Sequence, residues 1–430
     1  MRRSGVIRVS GMIVGLIAIA GTATAADWVR FRGPNGSGVS DAVGLPAKWS
    51  DKESVLWKTD LPGLGSSSPI VFSNRIYVTS YSGYGASQDQ VGKPQDLVRH
   101  LGCYELSTGK KVWDVAVQSA GPEEQFDGFL SEHGYASNTP TIDAERVYAM
   151  FGRSGVRAYD HQGKELWKFQ LGSDNSFNNW GSATSLVLVD NLLVVNADAE
   201  NDCLIALDKA TGKEVWRTEA KGYKGSWSTP IVVELADGRK ELVVCMPGEI
   251  WGLNPKDGGL QWYCETQMSG PANTSAVTDK GVVYVILGSP GSFSAMAVKA
   301  GGTDDVSTAH VLWRKQVGSY VPSAVVADGH VYWVNNQGVA FCLKAETGDE
   351  VYRERLANAG SIYASVVMAD GKLFAVTRRN GTFVLKAGPK FEQLAWNKFS
   401  DKTDFNASPA VQSGRLLLRS NTSLYCIGTR

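Results

Sequence analysis

A hairpin repeat constrains the fold of this chain more than any other feature of its sequence. In the clearest copy, 206–216, a strand leads into a Thr-Gly turn and a second strand ends in Trp216. Related copies stand at 103–113, 158–167, 252–262 and 342–352. A two-stranded hairpin cannot bury its own apolar face in water, so these units must stack on copies of one another.

A second type of hairpin precedes these copies along the chain. It starts with a small residue or Pro, continues through a short apolar strand and a tight turn, and ends in a strand of the Val-Tyr-Val type. Examples stand at 68–78, 275–285, 323–333 and 365–375. Two hairpins make four antiparallel strands, which is one blade of a β-propeller. The 47 Gly and 13 Trp residues suit many short strands joined by tight turns.

The large aromatic residue that closes each unit gives the number of blades. Eight such residues follow one another along the chain: Trp57, Trp113, Trp167, Trp216, Trp262, Trp313, Tyr352 and Trp396. We therefore predict an all-β fold, an eight-bladed propeller of four-stranded antiparallel blades over residues 55–430. Seven blades is the alternative if one of the weaker units fails.

The two ends of the repeat region predict how the ring closes. Residues 55–60 have the pattern of a fourth strand, but no first three strands precede them. Residues 408–427 supply three strands without a fourth. The N-terminal strand is therefore predicted to complete the last blade, which removes free sheet edges. We expect the extended segment 26–54 only to decorate the ring.

The first 25 residues have the pattern of a cleavable export signal. Arg2, Arg3 and Arg8 form a positive region, residues 11–20 are apolar, and 23–25 are small residues suited to cleavage. The apolar stretch is short for a membrane span. The first Cys is Cys103, so no lipoprotein anchor is expected, and we predict a periplasmic or secreted protein without a membrane anchor.

The charge balance excludes one class of partner. The sequence has 43 Lys and Arg against 43 Asp and Glu, which gives no net charge. A protein that binds the phosphate backbone needs a basic surface, so nucleic acid is not an expected partner. We expect a monomer.

The 206–216 hairpin resembles the tryptophan-docking motif of the PQQ-like (pyrrolo-quinoline quinone) repeats. These repeats occur in quinoprotein dehydrogenases and in exported bacterial propellers of the BamB type. The segments 28–36 and 45–49 resemble the lead-in of exported proteins with such repeats. The resemblance implies that each closing aromatic residue docks on the neighbouring blade and is not a cofactor ligand. It also implies a partner in outer-membrane or envelope assembly.

The same resemblance defines what a quinoprotein site would require. In the alcohol dehydrogenases of this group, three features hold the quinone. They are a tryptophan platform, a disulfide between adjacent Cys residues, and a calcium ion with Glu and Asn ligands beside a catalytic Asp. This chain has six Cys and no adjacent pair, and it has no G-x-S-x-G motif. We therefore expect no PQQ, no calcium and no catalytic residue. A PQQ- and calcium-dependent dehydrogenase of reduced size is the alternative.

Two sets of residues remain as weaker candidates for chemistry. Cys103, Cys342 and Cys426 stand where other repeats have Ala or Gly, which favours buried thiols used for packing. Asp198, Glu200 and Asp202 have the oxygen-ligand spacing of a cation site. We expect the acidic segment to be a solvated hairpin tip, with a metal site as the weaker alternative.

The loops predict a binding face. In a propeller, the loops between strands two and three and those between blades share one face, and the longest insertions here, 80–100 and 114–138, are of these two types. Aromatic residues at one height around the axis would form a docking surface for a protein or an envelope polymer. The candidates are Tyr135, Trp180, Trp227, Tyr320, Tyr363, Phe405, Phe126, Phe129 and His133. The alternatives are that the rings fill gaps between blades and that His133 is a solvent-facing loop residue.

Overall fold

The computed structural model describes residues 26–87, 89–119 and 121–429. The predicted signal peptide, 1–25, lies outside these residues. Within the described chain, the strands form eight sheets that are arranged as the blades of a propeller. The predicted all-β, eight-bladed fold is confirmed. No helix of the described residues is long and apolar enough to cross a membrane.

Blades 1 to 4 follow one another along the chain, and each runs outward from the axis. Their strands, four to a blade, are Ile70–Phe72, Arg75–Ser82, Val98–Glu105, Lys111–Gln118; Thr141–Ile142, Val147–Met150, Val156–Tyr159, Glu165–Phe169; Val187–Val189, Leu192–Asn196, Cys203–Asp208, Glu214–Glu219; Ile231–Glu234, Lys240–Met246, Glu249–Leu253, Leu260–Glu265.

Blades 5 to 8 continue the ring. Their strands are Val277–Asp279, Val282–Ser289, Ser292–Lys299, Val311–Lys315; Val325–Ala327, His330–Val334, Val339–Lys344, Glu350–Arg355; Val367–Ala369, Lys372–Val376, Thr382–Lys386, Gln393–Asn397; Ala410–Gln412, Arg415–Arg419, Ser423–Ile427, Val55–Asp60. Two short parallel strands, Val39–Ser40 and Asp304–Asp305, extend blades 7 and 4. The helical segments are Pro34–Gly36, Pro94–Asp96, Leu130–His133, Gly152–Ser154, Phe177–Asn179 and Asp198–Asn201.

The middle strands of each blade are apolar because both of their faces are covered. In blade 3, every residue of Leu192–Asn196 is buried, whereas the outer strand Glu214–Glu219 is largely exposed. Each blade is stacked between two neighbours, so a continuous apolar run is favoured over alternation in its middle strands. The core therefore lies between the blades.

The N-terminal strand closes the ring as predicted. Val55–Asp60 pairs antiparallel with Ser423–Ile427, with Val55 opposite Ile427 and Trp57 opposite Cys426. Blade 8 is thus built from both ends of the propeller sequence. Its outermost strand leaves no unpaired edge on Ser423–Ile427.

The closing tryptophans dock on the next blade in five places. Each indole Nε1 donates to a carbonyl oxygen in the neighbouring outer turn, 2.8–3.1 Å away: Trp57 to Leu106, Trp113 to His161, Trp167 to Lys209, Trp216 to Pro255 and Trp313 to Ala345. The turn glycine is needed at these contacts. Gly212 has φ 71°, and a Cβ there would lie 2.5 Å from the Trp167 ring.

Three predicted docking residues, Trp262, Tyr352 and Trp396, differ from this pattern. Trp262 donates to Glu241 in its own blade, because the insertion around Asp304–Asp305 replaces the usual turn of blade 5. Tyr352 has no indole N–H and packs against Phe391 of blade 7.

The prediction for Trp396 needs correction. Ala395, opposite Val384, holds the docking position in blade 7, and Trp396 lies one residue further along the strand. Its side chain therefore points the other way, is 38% exposed and stacks on Phe383.

The segment 26–54 is part of the core, contrary to our expectation. Trp28 is fully buried, and its carbonyl accepts from Val71 N of blade 1. The chain then crosses the axis, and Gly38 O accepts from Met368 N of blade 7. Trp49, 4% exposed, donates through its backbone N–H to Asn397. A segment that lay only on the surface of the ring would not bury two tryptophans. This segment instead connects blades on opposite sides of the ring through its hydrogen bonds and buried side chains.

Candidate functional site

The candidate site is a cavity on the propeller axis. It has a volume of about 860 Å³, including its open mouth. Its walls carry Ser, Thr, Asn and aromatic side chains, and no Asp, Glu, Lys or Arg is among the residues that line it. We call this space the central channel.

A closed ring of hydroxyl groups forms the wall of the central channel. Every blade contributes one Ser or Thr just before its innermost strand, and its backbone N–H donates to the side-chain oxygen of the next blade's residue at 2.9–3.1 Å. We call this ring the hydroxyl collar. Its members are Ser68, Thr139, Ser185, Thr229, Ser275, Ser323, Ser365 and Ser408.

Aromatic side chains form the mouth of the central channel. Phe129 lies with its ring centroid 5.1 Å from that of Trp180 and 5.8 Å from that of Tyr363. Trp180 in turn lies 5.3 Å from Trp227. We call these four residues the aromatic mouth. They come from three connections between blades and from the 114–138 insertion, so residues far apart in sequence form one surface.

Hydrogen bonds fix the aromatic mouth in place. Trp227 Nε1 donates to Gly181 O at 2.8 Å, and His133 Nε2 donates to Trp180 O at 2.8 Å. His133 Nδ1 lies 2.6 Å from Ser137 Oγ, so the neutral ring accepts the Ser137 proton. Burial lowers the pKa of His133, which favours this neutral form. His133 is thus a positioning residue held between Trp180 and Ser137, and the alternative of a solvent-facing loop residue does not describe it.

A charged network holds Tyr363. The Arg378 guanidinium lies 4.5 Å from the centre of the Tyr363 ring and pairs with Glu132 and Asp404. Arg378 Nε also donates to Asn406, which lines the central channel. The charges therefore stand behind the aromatic mouth and order it, without lining the channel.

The floor of the central channel comes from the N-terminal segment. Phe31 lines the channel between the contacts that this segment makes with blade 2 and blade 6. Its neighbours Arg30 and Arg32 are buried, and burial lowers the pKa of Arg30 to about 10 and that of Arg32 to about 9. The N-terminal segment therefore crosses the channel, and Phe31 forms part of its lining.

The predicted binding-face residues divide into two groups. Phe129, His133, Trp180, Trp227 and Tyr363 line the central channel. The others do not line it: Tyr135 and Phe126 pack with Tyr81 and Tyr84 beneath the loops, Phe405 packs with Phe399 and Tyr425, and Tyr320 is half-buried. For the buried members of this second group, the alternative of gap filling describes the structure.

Sequence reasoning missed the hydroxyl collar, Phe31 and Phe177. The signal for the collar was present, because a Ser or Thr precedes each inner strand in the hairpin pattern. Phe177 packs edge-on against Trp180 and Trp227 from the 3-10 turn Phe177–Asn179. Phe31 had no signal in the repeat, since it lies outside it.

The acidic segment is a buried helical turn and not a solvated tip. Asp198 and Glu200 are 1% and 2% exposed. Asp198 accepts from the backbone N–H groups of Gly225 and Ser226, and Asp202 pairs with Lys224. The three carboxylates therefore have different surroundings, and no cluster of His, Cys, Asp or Glu suited to a metal occurs in the described chain.

Glu200 faces a second, smaller cavity beside the aromatic mouth. This cavity, of about 350 Å³, is also lined by Glu124, Arg99, Arg153 and Ser182. Burial raises the pKa of Glu200 to about 7, and the nearby Glu124 charge acts in the same direction. The folded protein therefore holds a proton on Glu200 at mildly acidic pH.

We expect Glu200→Gln to flatten the pH dependence of stability. Between the ordinary Glu pKa of about 4.5 and about 7, the folded state binds a proton that the unfolded state lacks, so stability falls as pH rises. Gln mimics the protonated side chain and removes this loss, which is worth roughly 2–3 kcal/mol at pH 8. Urea unfolding at pH 5 and pH 8 measures the difference. The exposed Glu219→Gln is the control, and parallel pH profiles for Glu200→Gln and the wild type would refute the assignment.

The six cysteines are all buried and unpaired. Cys103, Cys342 and Cys426 stand opposite Trp113, Tyr352 and Trp57 in the sheet register. Burial raises the pKa of each thiol. At these positions a small apolar group fits beside the closing aromatic ring.

Solved structures of other proteins share this fold. BamB from Moraxella catarrhalis aligns with a TM-score of 0.61 at 11% identity, over 87% of this chain and 97% of that one. The computationally designed Ika8 protein aligns at 0.58 and 12%, over 87% and 100%. A quinohemoprotein alcohol dehydrogenase, ADHIIG from Pseudomonas putida HK5, aligns at 0.50 and 14%, over 84% and 76%. At these identities the similarity concerns the fold.

Sequence comparison identifies the family. No curated protein matches the sequence significantly. A family model described as outer membrane protein assembly factor BamB matches residues 99–354 and 304–389, which is more than half of the chain. The protein therefore belongs to this family of PQQ-like repeat propellers.

Proposed function

We propose that this protein is an exported, non-catalytic binding scaffold of the cell envelope that takes up its partner at the aromatic mouth of the central channel. The proposal rests on one observation: Phe129, Trp180, Trp227 and Tyr363 converge around the open end of the central channel. Large, rigid rings supply much contact area at low entropic cost.

The order of the site before binding supports this role. Arg378 and His133 already hold Tyr363 and Trp180 through the contacts described above. A surface that is ordered in the free protein loses little freedom when the partner binds. Export agrees with the signal-peptide pattern of residues 1–25 and with the name of the family.

The residues of the central channel do not fit PQQ. This quinone carries three carboxylates, and no Lys or Arg lines the channel. Asn273 and Asn406 are its amides, but no Glu or Asp lines the channel with them as a calcium ligand or a catalytic base, and the nearby Glu132 and Asp404 are paired with Arg378. We therefore propose a role without quinone or calcium, and the reduced quinoprotein is the weaker alternative.

Capture from a detergent extract of the bacterial envelope tests the proposal. We expect the immobilised wild-type protein to retain a specific component, and Phe129→Ala or Trp180→Ala to retain about tenfold less, as expected for central anchor residues. Lys280→Ala is the matched control, because Lys280 is exposed in a strand-one-to-two turn of blade 5, on the opposite face. Equal retention by all four proteins would contradict binding at the aromatic mouth.

A further inference from the structure

The hydroxyl collar provides hydrogen-bond donors on all sides of the central channel. Each collar oxygen accepts a backbone N–H from the preceding blade, as with Ser185 and Thr229. No acceptor for the collar protons is found among residues 26–87, 89–119 and 121–429. Each hydroxyl therefore retains a proton and a lone pair that a ligand inside the channel can use.

The aromatic mouth adds flat apolar faces above these donors. Trp180 is half-buried, and the Trp180 and Trp227 rings are inclined by 31° to each other. A ligand at this level meets ring faces, and a ligand further down meets hydroxyl groups and the Asn273 amide. This combination suits a molecule with apolar C–H faces and a rim of hydroxyl groups, which is the chemistry of a sugar ring.

The absence of charge in the channel lining restricts the ligand further. None of the residues lining the channel is Asp, Glu, Lys or Arg, and burial favours the neutral form of His133. An ionised ligand would lose its hydration without a counter-charge, which is costly in a confined site. The ligand should therefore be uncharged.

The geometry of the channel disfavours a peptide. A common way for an extended peptide to bind is by pairing with a free strand edge. Here the N–H groups that precede the inner strands, such as Ser275 N and Ser323 N, are already used in the collar. The N-terminal segment crosses the ring from Trp28 on blade 1 to Gly38 on blade 7, so a polymer cannot pass through the ring and only a chain end can enter.

We infer that the central channel binds the uncharged end of a carbohydrate chain, with its rings stacked in the aromatic mouth and its hydroxyl groups on the hydroxyl collar. This inference rests on the proposed function and names the class of its partner.

Two measurements on the full-length mature protein test the inference. Calorimetric titration uses maltotriose and triacetylchitotriose as neutral probes and trigalacturonic acid as a charged probe of equal length. Envelope capture is repeated with extract treated either with proteinase K, inactivated before use, or with periodate, which cleaves sugar diols. Trp180→Ala, Trp180→Phe and Lys280→Ala are compared with the wild type, with melting temperatures to confirm folding.

We expect at least one neutral probe to bind and the charged probe not to bind. Trp180→Ala should weaken binding by at least about tenfold, whereas Trp180→Phe keeps a ring and should stay within about threefold. Capture should survive proteinase K and be lost after periodate. Stronger binding of the charged probe, or failure of both neutral probes, overturns the inference, as does capture that survives periodate. If capture still depends on Trp180 in those cases, the proposed function stands with another partner class, and loss to proteinase K alone identifies that partner as a protein.

Discussion

Deletion of residues 26–62 is expected to prevent folding, whereas deletion of 26–54 should leave a closed but weakened ring. The longer deletion removes Val55–Asp60, so Ser423–Ile427 becomes an unpaired edge and blade 8 keeps three strands. It also removes Trp57, whose indole docks on the Leu106 carbonyl of blade 1. A propeller depends on every interface of its ring, so the loss should spread beyond one blade.

The shorter deletion is the control for the loss of sequence as such. It retains the closing strand but removes buried Trp28 and Trp49, so a lower melting temperature is expected. Soluble yield, gel filtration and thermal unfolding by circular dichroism distinguish the two proteins. If both truncated proteins fold equally well, the N-terminal strand does not close the ring.

The repeat and its closure could be predicted because they depend on local pattern. The strand, turn and closing aromatic residue recur within about a dozen residues, and the turn glycine marks each hairpin. Trp57 and the three unpaired C-terminal strands were then sufficient to place the N-terminal strand in blade 8. Such periodic signals survive low similarity between copies, since the same packing problem is solved in each blade.

The register of one strand could not be predicted from the pattern. Every outer strand carries a bulge beside the docking position, for example between Ala206 and Leu207 opposite Glu214–Trp216. In blade 7 the bulge places Ala395 at that position, and Trp396 falls on the exposed side. A shift by one residue reverses the face of a side chain, and a sequence pattern does not locate the bulge so closely.

Only part of the site could be predicted from the sequence, because the direction of a loop side chain depends on tertiary packing. Trp180, Trp227 and Tyr363 precede inner strands and do reach the channel. Tyr135 has the same position in its unit, but its hydroxyl donates to Glu124 O and its ring joins a buried cluster. The long insertion folds over Tyr135, whereas its Phe129 reaches the mouth.

The burial of the acidic segment 198–202 also depends on tertiary contacts that the local sequence does not reveal. Oxygen-rich sequence between two strands predicts a solvated tip, since carboxylates are rarely buried. Here Asp198 accepts two backbone N–H groups from the next connection, which offset part of the cost of its burial. Those donors, at Gly225 and Ser226, lie 27 and 28 residues away in the chain, so the local sequence gives no sign of them.

Trp216→Ala is expected to lower the free energy of unfolding by about 3–5 kcal/mol, the usual range for truncating a large buried aromatic side chain. Trp216 is 7% exposed, donates to Pro255 O at 2.9 Å, and lies against Gly258 of blade 4. Ala would leave a cavity between blades and an unpaired carbonyl in the turn, and Gly258 has no side chain that could fill the space. Urea unfolding measures the change, and Trp396→Ala, at a 38% exposed position, serves as the matched control with an expected loss of about 1 kcal/mol. Similar losses in the two variants would mean that docking between blades contributes no more than stacking on the surface.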